Sequence, residues 1–338
     1  MKTSILLLFS VIIGFCSYSQ SIISLQTGKQ TSIRGLSVVS NSVAWISGSN
    51  GWTALSSDAG KSWKWKQIPG YERFDFRDIE AFSAAHAIIV SAGSPAVVLL
   101  TTDSGLNWKE VYRNDSPEIF LDGMDFWDPK NGIIYGDPIK GKMQLLKTSD
   151  SGMSWQNISH NLNISLINGE ASFAASGTAI RCLKNGSTFI VTGGIQSRIF
   201  VSENFGGTWN VYPCPIIQGN STSGPFSLAF SNRKQGLAVG GDYQKDTMSI
   251  NNLVLTNDGG KTWKKPLKGP KGFKSAIEYI TSKKLIATGT SGTDISVDGG
   301  KTWNNVSIEG YNSVRKAKSG SWILLAGSDG KISELRMD

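Results

Sequence analysis

Histidine is nearly missing from this chain: His86 and His160 are the only two in 338 residues, and cysteine is confined to Cys16, Cys182 and Cys214. Two histidines in distant segments give a His-based metal site or a Ser-His-Asp triad little to work with. Asp122, Asp125 and Asp128 recur at intervals of three, unlike the alternate spacing of a calcium loop. A dinucleotide fingerprint and a Cys-x-x-Cys redox pair are also missing. Neither a metal nor a cofactor is therefore expected, and no residue stands out as catalytic. Past the N-terminus no stretch approaches the 18 apolar residues of a spanning helix, so no transmembrane segment is expected. Amphipathic helical periodicity is scarce too. What remains is 38 glycines punctuating short β-branched and aromatic runs, which points to an all-β chain.

The N-terminus differs from the rest. Met1-Lys2, an apolar run over residues 5–13 and small residues around Ser17-Tyr-Ser19 read as a cleavable secretory signal, cut after Ser19. The expected division is a signal peptide at 1–19 and an exported, periplasmic or extracellular domain at 20–338. Lipidation at Cys16 is the alternative, disfavoured by Phe15 where a small residue is expected. An oxidising compartment would permit a Cys182–Cys214 bridge, but spacing alone leaves two free thiols equally open.

Six copies of one phrase, Ser/Thr-x-Asp-x-Gly-x-x-Trp, organise the chain. Its acidic and aromatic positions are Asp58 and Trp63, Asp103 and Trp108, Asp150 and Trp155, Asn204 and Trp209, Asp258 and Trp263, and Asp298 and Trp303. The acidic positions (Asn204 in the fourth) lie 45, 47, 54, 54 and 40 residues apart, a period that signals stacked or circularly arrayed units. Each copy sits between β-rich runs and so reads as a hairpin connection. The Asp can accept N–H groups of its own turn, and the Gly two residues on can take positive φ. The Trp then returns across the hairpin, burying on the order of 200 Å². Asn204 still accepts through its amide oxygen, so the fourth copy should be weakened but not lost. This pattern is the Asp-box, and its residues are assigned a structural role.

The units divide roughly as 32–69, 76–114, 119–162, 169–215, 223–268 and 272–308, each with about four strands. Residues 309–338 hold three more, and residues 22–27 resemble the strand that follows each Trp. The expected fold is a seven-bladed β-propeller in which this N-terminal strand pairs with the C-terminal one and closes the ring, removing two open edges. Six or eight blades are the alternatives.

With the blades laid out, the chain resembles the bacterial relatives of the photosystem II stability/assembly factor family. The resemblance rests on Ser32-Ile-Arg34-Gly-Leu-Ser-Val-Val with Val43-Ala-Trp45-Ile-Ser-Gly48, on Asp75-Phe-Arg77-Asp78-Ile-Glu80-Ala-Phe, on Phe120-Leu-Asp122-Gly-Met-Asp125-Phe-Trp, and on the segment from Gly169-Glu170 to Thr178. It implies a seven-bladed Asp-box propeller with an Arg-bearing first inner strand and a binding role of the assembly-chaperone kind. Relatives in non-photosynthetic Gram-negative bacteria are often labelled oxidoreductases, a chemistry for which no motif speaks here.

Propellers bind ligands at one end of the channel, where the innermost strands converge. Arg34, Arg77, Asp122 and Glu170 stand at or near the starts of inner strands, with Asp78, Glu80 and Asp125 close behind. Ionisable groups facing a narrow channel must be paired or solvated. They form either a charged socket, with the arginines as forked donors to a carboxylate or carbonyl, or a self-satisfied ion-pair network that fixes blade order. Arg181, Arg198 and Asp137 are weaker candidates. Residues 261–284 carry eight Lys against one Glu in a chain of net charge +8, which reads as a solvated face or a surface for an acidic partner. Aromatic residues do not interleave with it, so nucleic acid is not an expected partner. The reading is an exported, monomeric, non-enzymatic propeller for a protein or peptide. A sialidase-like glycosidase using carboxylates such as Asp78, Asp122 and Glu170, and an oxidoreductase, are the alternatives.

Overall fold

The computed structural model describes residues 20–337, so the proposed signal segment and Cys16 lie outside the described residues. Runs such as Ala96–Thr101 are buried along their whole length, with no in–out alternation. That is the signature of strands covered on both faces, and stacking the sheets face to face around an axis supplies the cover. Seven antiparallel sheets result, spanning 33–67, 75–114, 121–157, 170–213, 223–256, 276–307 and 313–337, the last completed by the N-terminal strand. The inner strands of blades one to seven begin at Ile33, Asp75, Leu121, Glu170, Ser223, Ala276 and Ser313 and touch one another in a closed cycle. The fold is a seven-bladed β-propeller.

Closure occurs as the sequence predicts. Gln20–Gln26 pairs antiparallel with Ile332–Met337, from Gln20 opposite Met337 to Gln26 opposite Ile332. Six apolar clusters occupy the joints between successive blades. One, for example, joins Ile33, Leu36 and Ile46 of blade one to Trp322, Leu324 and Ile332 of blade seven. Among the described residues there is no α-helix, and no helix is long and apolar enough to cross a membrane.

Two blades depart from the expected four strands. Blade four has five, because its inner strand is broken into Glu170–Ala171 and Ile180–Cys182. Blade five has three, joined beyond its edge only by a bridge between Leu255 and Lys264. Pro266 and Pro270 follow at once, and proline cannot donate to a ladder. The Asn252 side chain instead donates to the carbonyls of Pro270 and Gly272, at 3.0 and 2.6 Å.

The six repeated turns share one hydrogen-bond scheme. In the first, Ser56 Oγ donates to Asp58 Oδ1 (2.9 Å) and accepts the Gly60 N–H (2.9 Å). Asp58 also accepts the Ser62 N–H (3.0 Å) and Ser62 Oγ (2.6 Å). The Ser62 bonds hold the Asp58 carboxyl down at about 2. In the fourth turn Asn204 accepts from Thr208 N–H at 2.8 Å while its own amide donates to Thr208 Oγ1 at 3.0 Å. The turn glycine has φ between 75° and 89° in all six and leans on a side chain of the preceding blade, such as Trp45 under Gly105 or Leu237 under Gly300. The tryptophan follows it into that joint: Trp108 meets Trp45 edge-on, with centroids 6.1 Å apart. The repeated turn therefore joins blades as well as closing hairpins.

A candidate ligand pocket at one mouth of the channel

Four inner strands carry the same irregularity within their first four residues. The pairing register skips one residue between Ile33 and Gly35, Phe76 and Asp78, Leu121 and Gly123, and Pro225 and Ser227. The skipped residues are Arg34, Arg77, Asp122 and Phe226. A bulge frees one residue from the ladder and re-aims its side chain. At this end of the channel it turns two cations, an acid and an aromatic ring out of the regular in–out pattern at equivalent places around the ring.

The break in blade four completes the site. Residues 172–179 leave the sheet and span the axis. Arg34 of blade one donates to the Ala175 carbonyl (3.0 Å), and Ser176 Oγ donates to the Ser275 carbonyl of blade six (2.8 Å). Gly177, at φ 67°, lies so close to Asp78 of blade two that a Cβ there would overlap its carboxylate. Asp137 of blade three accepts the Ser172 N–H (2.9 Å), and Thr178 shares a 2.5 Å bond with Ser227 of blade five. The segment plugs this end of the channel and makes it a floor.

Above the floor lies a pocket of about 390 Å³, within the usual size range of ligand sites. One side holds Arg34, Arg77, Phe120 and Asp137; the other is aromatic. Phe173 of the plug stacks on Phe226 with centroids 3.9 Å apart, and Phe226 meets Phe273 edge-on at 4.7 Å. Tyr243, which is 47 % exposed, stands at the rim.

Both arginines are only partly committed. Arg77 Nε donates to Asp75 at 2.7 Å with about a third of its side chain exposed, and Arg34 spends one terminal nitrogen on Ala175. Their other guanidinium donors have no further hydrogen bond among the described residues. Burial and then the charge of Arg77 lower the pKa of Arg34, with Asp75 opposing; a guanidinium stays charged regardless. Burial, followed by Asp137, pushes the Asp122 carboxyl well above its ordinary range against the pull of Arg77. Asp122 is 1 % exposed, and neither oxygen has a partner of good geometry, the Asp137 N–H giving only partial compensation. Burial raises Asp137 as well, opposed by the Ser172 N–H.

The seven candidate residues do not form one socket. Arg34 and Arg77 line the pocket, and Asp122 sits buried beneath it. Glu170 is consumed by Arg198, which donates through Nη2 at 2.6 Å and Nε at 2.8 Å, and by Thr192. Asp78 is buried midway along its strand, accepting the Ile79 and Met124 N–H groups at 2.8 Å each. Glu80 and Asp125 lie three residues past the bulges, about 10 Å along the strand, toward the far mouth. There Glu80 binds Lys318, and Asp125 accepts the Cys182 N–H (2.7 Å). Arg181 and Arg315 converge on Glu278, at 3.4 and 3.9 Å. The two mouths therefore differ: arginines with uncommitted donors stand at one, and a largely self-paired network at the other.

Two further readings are settled. Cys182 and Cys214 are free thiols, not a bridge. Lys274 is no part of a solvated face: it is fully buried and paired with Asp294 at 2.8 Å. The aromatic half of the pocket went unread, although Pro225-Phe226-Ser227 occupies the place of Ile33-Arg34-Gly35 and aligning inner-strand starts would have exposed it.

The first two blades match a known family model. Residues 17–117 match the family model of the photosynthesis system II assembly factor YCF48. That stretch covers blades one and two, where Arg34 and Arg77 lie, and the resemblance drawn from their motifs is borne out. Solved YCF48 structures are similar around the whole ring. One, described as YCF48 bound to D1 peptide, aligns with a TM-score of 0.68 at 17% identity over 94% of this chain and 97% of that one. YCF48 from Cyanidioschyzon merolae aligns at 0.65 and 15% identity, over 93% and 98%. A GH74 enzyme from Niastella koreensis reaches 0.56 at 14% identity, over 92% of this chain but 53% of that chain. At such identities the likeness to YCF48 and to the enzyme speaks for the fold. No curated protein matches the sequence.

Proposed function

We propose that this chain is an exported, monomeric, non-enzymatic propeller of assembly-factor type that holds a protein or peptide partner at the plugged channel mouth. The observation that carries this reading is the pair of bulged arginines, Arg34 and Arg77, presenting uncommitted guanidinium donors over a floored pocket. Forked donors of this kind suit a carboxylate or a run of backbone carbonyls. The YCF48 structure with D1 peptide supports the same use of the ring. Residues 1–19 supply the export signal on this reading. A sugar-cleaving site is less well supported, because Asp78, Asp122 and Glu170 are all buried and two of them are already bonded.

Affinity capture from the native envelope fraction tests the proposal. Wild-type protein retains a partner that elutes with a competing carboxylate peptide, and the Arg34→Ala/Arg77→Ala double variant retains at most a tenth as much. Equal capture by the double variant contradicts it.

A further inference from the structure

The ligand's charge is only half of what the pocket reads. Arg34 grips the Ala175 carbonyl, and the Ala175 N–H closes a tight turn on the Phe173 carbonyl at 2.8 Å. The cation and the plug's aromatic ring are thus held one turn apart. Phe173 is also firmly seated. A Cβ on Gly193 would fall 2.6 Å from its ring and one on Gly224 would fall 3.1 Å away, so two glycines make the cradle that holds it. Phe226 and Phe273 are almost wholly buried behind it, leaving Phe173 and the half-exposed Tyr243 as the apolar surface on this side, with the half-buried Phe120 across the pocket beside Arg77. The floor at 172–179 forbids threading through the ring, so whatever enters must seat end-on or as a bend.

We propose that the pocket selects a carboxylate immediately flanked by an aromatic side chain, the carboxylate on Arg34 and Arg77 and the ring against Phe173 and Tyr243. The inference rests on the reading of the site as a peptide socket and names the chemistry of its ligand. A chain ending in an aromatic residue meets it with one residue; an acidic residue beside an aromatic one meets it with two. Aromatic stacking and desolvation supply the preference, and the forked cations supply the orientation.

Fluorescence titration of the full mature protein with four short acetylated peptides tests it. One ends in Phe with a free carboxylate, one ends in Ala, one is the Phe peptide as its amide, and one carries an internal Glu-Phe pair and an amidated end. The Phe acid binds about tenfold tighter than the Ala acid and loses its advantage as the amide. Tight binding by the Glu-Phe peptide would assign the carboxylate to a side chain, and its failure would assign it to a chain end; both agree with the proposal. Phe173→Ala abolishes the Phe-over-Ala preference while leaving the need for a carboxylate. Tyr243→Ala, at a half-exposed position on the rim, reduces the same preference. Equal binding of Phe and Ala acids, still lost in the arginine variants, overturns the inference and leaves the socket standing. Binding indifferent to both carboxylate and arginines overturns the socket itself.

Discussion

Asp78 shows how a single residue can mislead a sequence reading and still be informative. Its position beside Arg77 suggests a ligand group, yet the bulge turns Arg77 toward the pocket and sends Asp78 into the wall. Burial pushes its carboxyl up to about 8, against Arg315 and the two N–H groups it accepts. A folded-state pKa above the unfolded value of about 3.9 means that the folded form holds the proton more tightly. The associated stability is complete below about pH 4 and is lost as pH rises toward 8. We therefore expect urea unfolding of Asp78→Asn to show a stability slope between pH 4 and 8 less negative than wild type by up to about 1 kcal/mol per pH unit. Identical slopes would show that Asp78 ionises freely in the fold. At this scale the candidate site was half legible. Arginine near an inner-strand start is visible in the sequence, but which neighbour a bulge skips is decided by cross-strand pairing. Glu170 was misjudged for a similar reason, since Arg198 lies 28 residues away and meets it only across the blade-four sheet.

At the scale of elements, the repeated turn was almost fully legible because its chemistry is local. Asp, hydroxyl and Gly stand within eight residues and satisfy one another. What could not be read is that the glycine and tryptophan also serve the joint with the preceding blade. In the fifth turn Thr256 Oγ1 donates to Asp258 and accepts the buried Gly260 N–H, at 2.8 and 2.9 Å. Thr256→Ala leaves that N–H unpaired and should cost about 1–3 kcal/mol, measured by chemical denaturation; a loss under about 0.5 kcal/mol would mean the turn is held by the joint alone. The missing fourth strand of blade five was foreshadowed by Pro266 and Pro270. The plug was not, since residues 172–179, Phe173 apart, have small side chains that suit a strand start or a crossing equally well.

For the whole molecule, the count of seven and the closing strand followed from arithmetic: six complete units, three leftover strands, and one unclaimed strand at the other terminus. Closure removes both open edges and packs Leu25 beside Trp63 and Trp322 in the last joint. A chain beginning at residue 27 should therefore unfold several kcal/mol more easily and lose a single cooperative transition, as followed by thermal circular dichroism. Unchanged cooperativity would mean that the ring does not depend on its clasp.

The ring brings bulged residues from separate blades to one floored mouth, and the most direct test of that mouth as the binding surface is hydrogen–deuterium exchange with and without a bound partner peptide. The account predicts slowed exchange in residues 33–36, 75–78 and 172–176, with the outer strands unchanged. Protection confined to the lysine-rich stretch at 261–271 or to the far mouth, with the plug exchanging as before, would contradict it.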